Sequence, residues 1–365
     1  MPLNKIFIKN FRCFTEANIS LSPGLNFFYG DNGVGKTSLL EAVYILSGAK
    51  SFKSSNISSL IKYNCKKFNL KAYDGKRGHV LEIEKAIDKP ISILLNNKRI
   101  RTTTLKKEFP CNAIHNDTFS FASAAPDFRR KLLDRAIFIA DERFSSLWFS
   151  YYRTLRQRNA ALKNNRISDI YAWNEKIVND GANLTEARKE FFNKSLIEFK
   201  RLLNFIEPEK LFEFFEYIEI NFYQGWDNNS NLLDVINHNS KIDLKKKITT
   251  SGPHKSDIKF LINGVDAKHV LSRGEQKLFS ILWSCAQNEA LKNEYDLDPT
   301  LLIDDIKSEL DKKTFEATIS VLKNINNQVI FSCIDDNFSS KILDNFNHFK
   351  KFHVEHLRQN NGKEI

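Results

Sequence analysis

Gly30-Asp31-Asn32-Gly33-Val34-Gly35-Lys36-Thr37 fits the pattern G-x-x-x-x-G-K-[ST] without a mismatch. Each residue type has a task in holding phosphate. Gly33 and Gly35 let the backbone curl until successive N–H groups point at one anion. A helix starting here adds the partial positive charge of its N-terminus. Lys36 reaches the β- and γ-phosphates of a nucleotide, and the Thr37 hydroxyl, with Ser38 after it, stands where Mg²⁺ would be ligated. The alternative is a chance glycine loop before an ordinary helix, and the flanks oppose it. Leu25–Tyr29 is an apolar run that reads as a buried strand. Leu39, Leu40, Val43 and Leu46 recur at helical spacing, and Gly48 is a natural stop.

A second set of polar residues lies far along the chain. Leu301-Leu302-Ile303-Asp304-Asp305 is an apolar strand ending in two carboxylates. Asp304 would hold Mg²⁺, directly or through water, and Asp305 could orient or deprotonate an attacking water. The alternative is a strand end with exposed acids. Upstream, Leu271-Ser272-Arg273-Gly274-Glu275-Gln276-Lys277 opens a helix running through Leu282 and Ala286. Taken alone, Ser272 and Glu275 are a capping box. Ser308-Glu309-Leu310-Asp311 follows the paired acids, and a further apolar strand, Val329–Phe331, ends in Ser332-Cys333.

These sites need a framework, and 365 residues with 42% hydrophobic content supply one large domain or two or three smaller ones. No run of about 18 apolar residues predicts a membrane span. The opening MPLNKIFIKNF alternates like a strand and lacks a signal-peptide core, which places the chain in the cytoplasm with no membrane partner. Cys13, Cys65, Cys111, Cys285 and Cys333 are odd in number, scattered and never C-x-x-C, which argues against disulfides and zinc. The net charge of +11 admits two readings: attraction to nucleic-acid phosphates, or a chain generally rich in lysine.

Strands are predicted around Ile6–Ile8, at Ile19 and Leu21, and over 70–73, 79–85 and 91–95, with Asn96-Asn97 turning into 98–101. Arg12 lies between the first two. Residues 50–67 are basic and serine-rich, and 109–114 closes this section. Pro126 to Phe205 contains a single glycine, Gly181, and its apolar periodicity predicts a long helix pair with a charged outer face, an arm. Arg129, Arg130, Arg153, Arg156 and Arg158 concentrate positive charge there, either for nucleic acid or as a solvated helix face. Strands return at 214–223 and 258–262, the latter ended by Asn263-Gly264.

The order of the motifs resembles the heads of ABC-type ATPases: phosphate loop, L-S-x-G-E, apolar-Asp-Asp, S-x-L-D, strand. Phe11-Arg12 and Gly30–Ser38 resemble the DNA-repair branch of these ATPases, alongside SMC heads. The stretches 129–134, 155–162, 252–257, 271–277 and 302–311 narrow the resemblance, over residues 3 to 355, to the RecF family of bacterial recombination mediators. It implies an α/β fold, an ABC-ATPase head with a mixed or parallel sheet and an antiparallel β-subdomain. The head would comprise 1–115 and 250–365, with a mainly helical arm, 116–249, inserted between its halves.

For function, the resemblance implies an ATP-dependent homodimer that binds double-stranded and gapped DNA. It would act with RecR and RecO to help RecA load at single-strand gaps, and hydrolyse ATP slowly. Residue by residue, it implies ATP and Mg²⁺ held by Lys36, Thr37 and Asp304, with Arg12 near the phosphates. Ser272 and Gly274 would reach the nucleotide of a second copy, and Asp311 would lie at the dimer seam. Asn112 stands where related ATPases carry a Mg²⁺-assisting glutamine, Asp305 where fast hydrolases carry glutamate, and Cys333 where many carry a switch histidine. Two other readings stay open: a nucleotide-switched protein scaffold with little DNA affinity, and a transporter ATPase subunit, which the motifs at 129–134 and 252–257 oppose. A long coiled-coil SMC protein is excluded by the short insert.

Overall fold

Three strands of this chain are mostly apolar, and that decides their place. Leu25–Tyr29, Thr300–Ile303 and Val329–Cys333 are buried almost throughout, as strands covered on both faces must be. Lys5–Phe11 instead alternates between buried and accessible residues, the mark of a sheet with one covered face. The computed structural model describes residues 2–119, 121–207, 213–306, 310–334 and 348–359. The chain divides into two units, one of Met1–Ser120, Glu198–Leu211 and Ser272–Ile365, the other of Phe121–Ile197 and Phe212–Leu271.

The first unit begins with β1 (Lys5–Phe11), β2 (Phe14–Ser20), β3 (Leu25–Tyr29) and α1 (Lys36–Gly48). Then come β4 (Lys67–Asp74), β5 (His79–Ala86), β6 (Ser92–Leu95), β7 (Lys98–Arg99), α2 (Thr102–Glu108), β8 (Cys111–Ile114) and α3 (Asn116–Phe119). The second unit holds α4 (Pro126–Ala140), α5 (Glu142–Lys163), most of α6 (Ile167–Leu203), β9 (Ile218–Tyr223), α7 (Leu232–His238), α8 (Ser240–Lys246), β10 (Asp257–Ile262) and β11 (Val265–Asp266). The first unit resumes with α9 (Arg273–Tyr295), β12 (Thr300–Ile303), α10 (Lys312–Asn324), β13 (Val329–Cys333), β14 (Phe349–His353) and α11 (Val354–Gln359).

In the first unit a five-stranded sheet runs β14-β3-β13-β12-β8 with every pairing parallel. A six-stranded sheet runs β2-β1-β4-β5-β6-β7 with every pairing antiparallel. Helix α1 packs against strands of both, which is why Leu39, Leu40, Ala42, Val43, Ile45 and Leu46 are all buried. Each large apolar side chain so buried contributes about 1.5–3 kcal/mol. That fixes the helix whose first turn carries Lys36 and Thr37. The turn at Asn96 and Asn97 has φ 48° and 64°, the double left-handed geometry of a type I′ hairpin.

Three local expectations shift. Gly48 is still helical, and the left-handed residue that ends α1 is Ala49, φ 52°. The strand expected over 98–101 is shorter, Lys98–Arg99, and residues 102–108 form α2. The expected helix pair is three helices, because Asp141 breaks the first run and caps the next by accepting from Arg143 N–H at 2.8 Å.

In the second unit the antiparallel sheet β11-β10-β9 lies with α4 against β10. Two of the five arginines read there as a basic face are internal. Arg129 makes two 2.8 Å bonds to the Asp257 carboxylate. Arg158 is fully buried and donates to Asp243 (2.7 Å), Thr249 (2.8 Å) and Asn174 (2.9 Å). Its spacing from Leu155 and Leu162 puts it on the inner face of α5. Arg130 is partly covered and donates to the Ser256 carbonyl, while Arg153 and Arg156 are exposed.

His254 is also internal. Its Nε2 faces the Thr249 carbonyl (2.9 Å) and so carries the proton, leaving Nδ1 to accept from the Tyr151 hydroxyl (2.6 Å). Burial lowers its pKa to about 4 from 6.5. The folded chain therefore binds this proton less readily than the unfolded chain. The contribution to stability is complete above pH 6.5 and falls away as pH drops toward 4, by about 3 kcal/mol over that window. Urea unfolding of His254→Gln between pH 4 and 6.5 should show a slope of stability against pH shallower than wild type by up to one proton. Equal slopes would show the histidine to be silent.

Candidate functional site

β3 delivers the chain at the carboxyl edge of the parallel sheet, where ligands bind in open α/β sheets. The loop that follows has left-handed or otherwise glycine-only backbone at Gly30 (φ 145°), Gly33 (83°) and Gly35 (113°). At Gly35 a side chain is also excluded by space: a Cβ there would lie 2.6 Å from Cys13 Sγ and 3.2 Å from the Phe14 ring. The hairpin turn between β1 and β2 thus braces the loop. Lys36 Nζ donates to the carbonyls of Gly30 (2.6 Å) and Asp31 (2.9 Å), holding the loop curled. No side chain caps the N-terminus of α1, and its first amides are available for an anion.

β13 separates β12 from β3 in the sheet, and Ser332 at its end spans the gap. Thr37 Oγ1 donates to Asp304 Oδ1 at 3.1 Å, and Ser332 Oγ donates to the same oxygen at 2.8 Å. Ser332 Oγ also accepts from Asp305 N–H at 2.8 Å. Two motifs 267 residues apart in sequence meet here. Asn32, Gly33, Gly35, Lys36, Thr37, Ser38, Asp304 and Asp305 line one cleft of about 240 Å³, with Lys53 and Ile334. A larger cleft, about 310 Å³, is lined by Pro23, Leu25, Val329 and His348 among others. It lies at the amino ends of β3 and β13 and holds none of the motif residues, so the smaller cleft is the candidate. A hydroxyl and a carboxylate already in contact, beside an uncapped helix start, fit a Mg²⁺–triphosphate. Among the described residues no three His, Cys, Asp or Glu side chains gather as a metal cluster.

Val34 is buried, and its carbonyl accepts from Arg358 of α11 at 3.4 Å. Arg12, itself at φ 52°, does not line the cleft. Its guanidinium clamps Glu41 of α1 through bonds of 2.9 and 3.1 Å. Asn112 is not at the cleft either. It pairs across from Leu301, three residues before Asp304 and about 10 Å back along the strand, and its amide donates to Asn288 at 3.3 Å. The side chain at the carboxyl edge of β8 is His115, whose ring stacks on Phe52 at 5.0 Å. Asn112 is a polar residue within the strand, whereas register puts His115 at the strand end. Cys333 is buried within β13, and the cleft meets Ile334 instead. Ser272 is exposed and caps α9, with both halves of the capping box in place. Ser272, Gly274 and Asp311 line no part of this cleft, and Asp311 caps α10 by accepting from Thr314 N–H. Ser308 and Glu309 lie outside the described residues. Lys53 was not singled out from the sequence, although it sits in the basic segment 50–67, and nothing in the local pattern marks Ser332.

The RecF/RecN/SMC N terminal domain family matches residues 2–356. Curated relatives named DNA replication and repair protein RecF align nearly end to end: one from Pseudoalteromonas translucida at 30% identity, with 98% of each chain covered, and one from Vibrio campbellii at 31%, with 98% of this chain and 99% of that one. The chain belongs to the RecF family. A solved structure of the recombination mediator protein RecF-ATPrS in the RecFOR pathway superposes on this RecF-family chain with a TM-score of 0.75 at 23% identity, covering 97% and 96% of the two chains. An Smc head bound to the C-winged helix domain of ScpA gives 0.58 at 18%, covering 96% and 94%. The fold is that of an ABC-type ATPase head, α/β with a parallel and an antiparallel sheet, carrying additional helices. Among the described residues no helix is long and apolar enough to cross a membrane.

Proposed function

We propose that this chain binds Mg²⁺·ATP in the cleft between residues 36–38 and 304–305, and that two copies close head to head around two nucleotides. The observation that carries this reading is the contrast between the two helix starts. α1 begins uncapped beside the joined Thr37 and Asp304, whereas α9 begins fully capped, exposed and outside that cleft. One start takes the triphosphate of its own chain, and the other is left for a partner's. Thr37 and Asp304 would hold the Mg²⁺, which would supply charge neutralisation to the triphosphate. Lys36 and Lys53 add positive charge along the phosphates, and Asp305 orients the attacking water. Asp305 is one methylene shorter than glutamate, and the cleft has Ile334 where a histidine would assist. Both features favour slow hydrolysis, a timer for the closed dimer.

We further propose that the head corresponds to 1–115 and 250–365, the arm to 116–249, and that the closed dimer holds duplex or gapped DNA. In the cytoplasm, at the nucleoid, it would act with RecR and RecO to promote RecA loading, in line with relatives described as DNA replication and repair proteins and as a recombination mediator of the RecFOR pathway. Arg153, Arg156 and Lys163 on α5, and Lys241, Lys245, Lys246 and Lys247 on and after α8, are exposed, with no ion pair among the described residues. They suit phosphate contacts without base reading. Anisotropy titration of a labelled duplex with ATP present should show affinity falling steeply with salt, with a log–log slope of about −3 or steeper if four or more phosphates are neutralised. A flat response, or no binding by the purified chain, favours the scaffold reading. Exposed Tyr171, Ile242 and Ile248 in the same unit would then serve a protein partner.

A further inference from the structure

Lys277 is on the second turn of α9, five residues past Ser272, and is almost wholly buried at 3% exposure. Its ammonium donates to the Asp305 carbonyl at 2.9 Å and lies 3.9 Å from the centroid of the Phe119 ring. A buried lysine is unfavourable unless its charge is satisfied, and a carbonyl plus an aromatic face satisfy it. The recipient is unusual too. Asp305 has φ 52°, a left-handed conformation uncommon for a residue other than glycine. Ser332 Oγ on its N–H and Lys277 on its carbonyl help to hold it.

These bonds form one continuous relay. Thr37 donates to Asp304, Ser332 donates to Asp304 and accepts from Asp305, and Asp305 accepts from Lys277. The relay starts at the phosphate cradle and ends on the helix whose cap is Ser272. We propose that Lys277 is a positioning residue that ties the carboxylate end of the chain's own cleft to the first turns of α9. The state of one nucleotide site is thereby felt at the motif that serves the other, and the dimer takes up its two nucleotides cooperatively. This rests on the dimeric reading above. Core support alone does not explain why the ammonium meets the carbonyl of a left-handed residue at the cleft.

Lys277→Met keeps most of the side-chain length and removes the donor, and Lys277→Arg restores a donor and the charge. Labelled-ATP binding is measured at chain concentrations too low for pairing, and ATP-driven pairing by sedimentation. Lys277→Met should keep monomer affinity within about twofold while its Hill coefficient for pairing falls from near two to about one, with Lys277→Arg close to wild type. A Hill coefficient unchanged in Lys277→Met overturns the proposal, as does an equal loss of monomer affinity, which would make the lysine a support of the cradle alone. Wild type needs no variant: ATP added to the monomer should slow hydrogen exchange at 273–279 by about fivefold or more, and no change there overturns the link. A wild type that never pairs with ATP overturns the dimeric reading and this link together. A cooperative wild type with an equally cooperative Lys277→Met overturns the link alone.

Discussion

Lys36→Ala should abolish ATP-dependent pairing and weaken ATP binding roughly a hundredfold or more. The side chain bridges two carbonyls of its own loop, at 2.6 and 2.9 Å, which holds the ammonium at the loop. A charged hydrogen bond in such a place is worth about 1.5–3 kcal/mol, and a lysine spanning two phosphates makes at least two. Alanine also leaves the Gly30 and Asp31 carbonyls without their donor, so the loop loses its curl as well as its charge. The global fold should survive, because α1 is anchored by Leu39, Leu40, Val43 and Leu46 rather than by Lys36. Sedimentation with and without ATP, beside a thermal melt, separates the outcomes. Equal amounts of dimer with and without ATP in both proteins would remove ATP gating from the account.

Ser272→Arg should divide binding from pairing. Ser272 is exposed and makes no contact with its own cleft, so single-site ATP affinity should change by less than about twofold if its work is done in a second copy. Losing the cap costs about 1 kcal/mol, a small part of the 5–15 kcal/mol that holds a typical domain together. What arginine removes is room. Its long side chain fills the space through which the start of α9 would approach a partner's γ-phosphate. ATP-dependent dimer, and with it any ATP-stimulated affinity for duplex, should disappear, while Ser272→Thr, which keeps the cap hydroxyl, should retain both. Full pairing by Ser272→Arg, or loss of ATP binding in its monomer, would show that the motif does not act across a dimer.

Much of this was legible in the chain because the determinants are local. Gly30–Thr37 needs only its own glycines, lysine and threonine to curl round an anion, and Ser272 with Glu275 needs only a helix start to form its box. The buried strands announce themselves by mostly apolar runs, and Asn96-Asn97 by a turn that few other residue pairs tolerate. Arg158 was nearly legible, since its helical spacing from Leu155 and Leu162 marks the inner face, but charge pulled the reading outward. Asn112 was misplaced because a polar residue in a strand carries no label for its height in the sheet. Only pairing with Leu301 shows that it stops short of the edge that His115 reaches.

By itself, then, the sequence determined the curled glycine loop, the paired acids at a strand end, the capped second motif and the family. The tertiary structure alone decided that Thr37 meets Asp304, that Ser332 joins them, that Arg12 serves Glu41 rather than the cleft, and that Lys277 reaches Asp305. The physical reason is range. Backbone conformation and capping are set by a few neighbours along the chain. A hydrogen bond between residues hundreds of positions apart depends on sheet order and register, which emerge only when all the strands have found their partners.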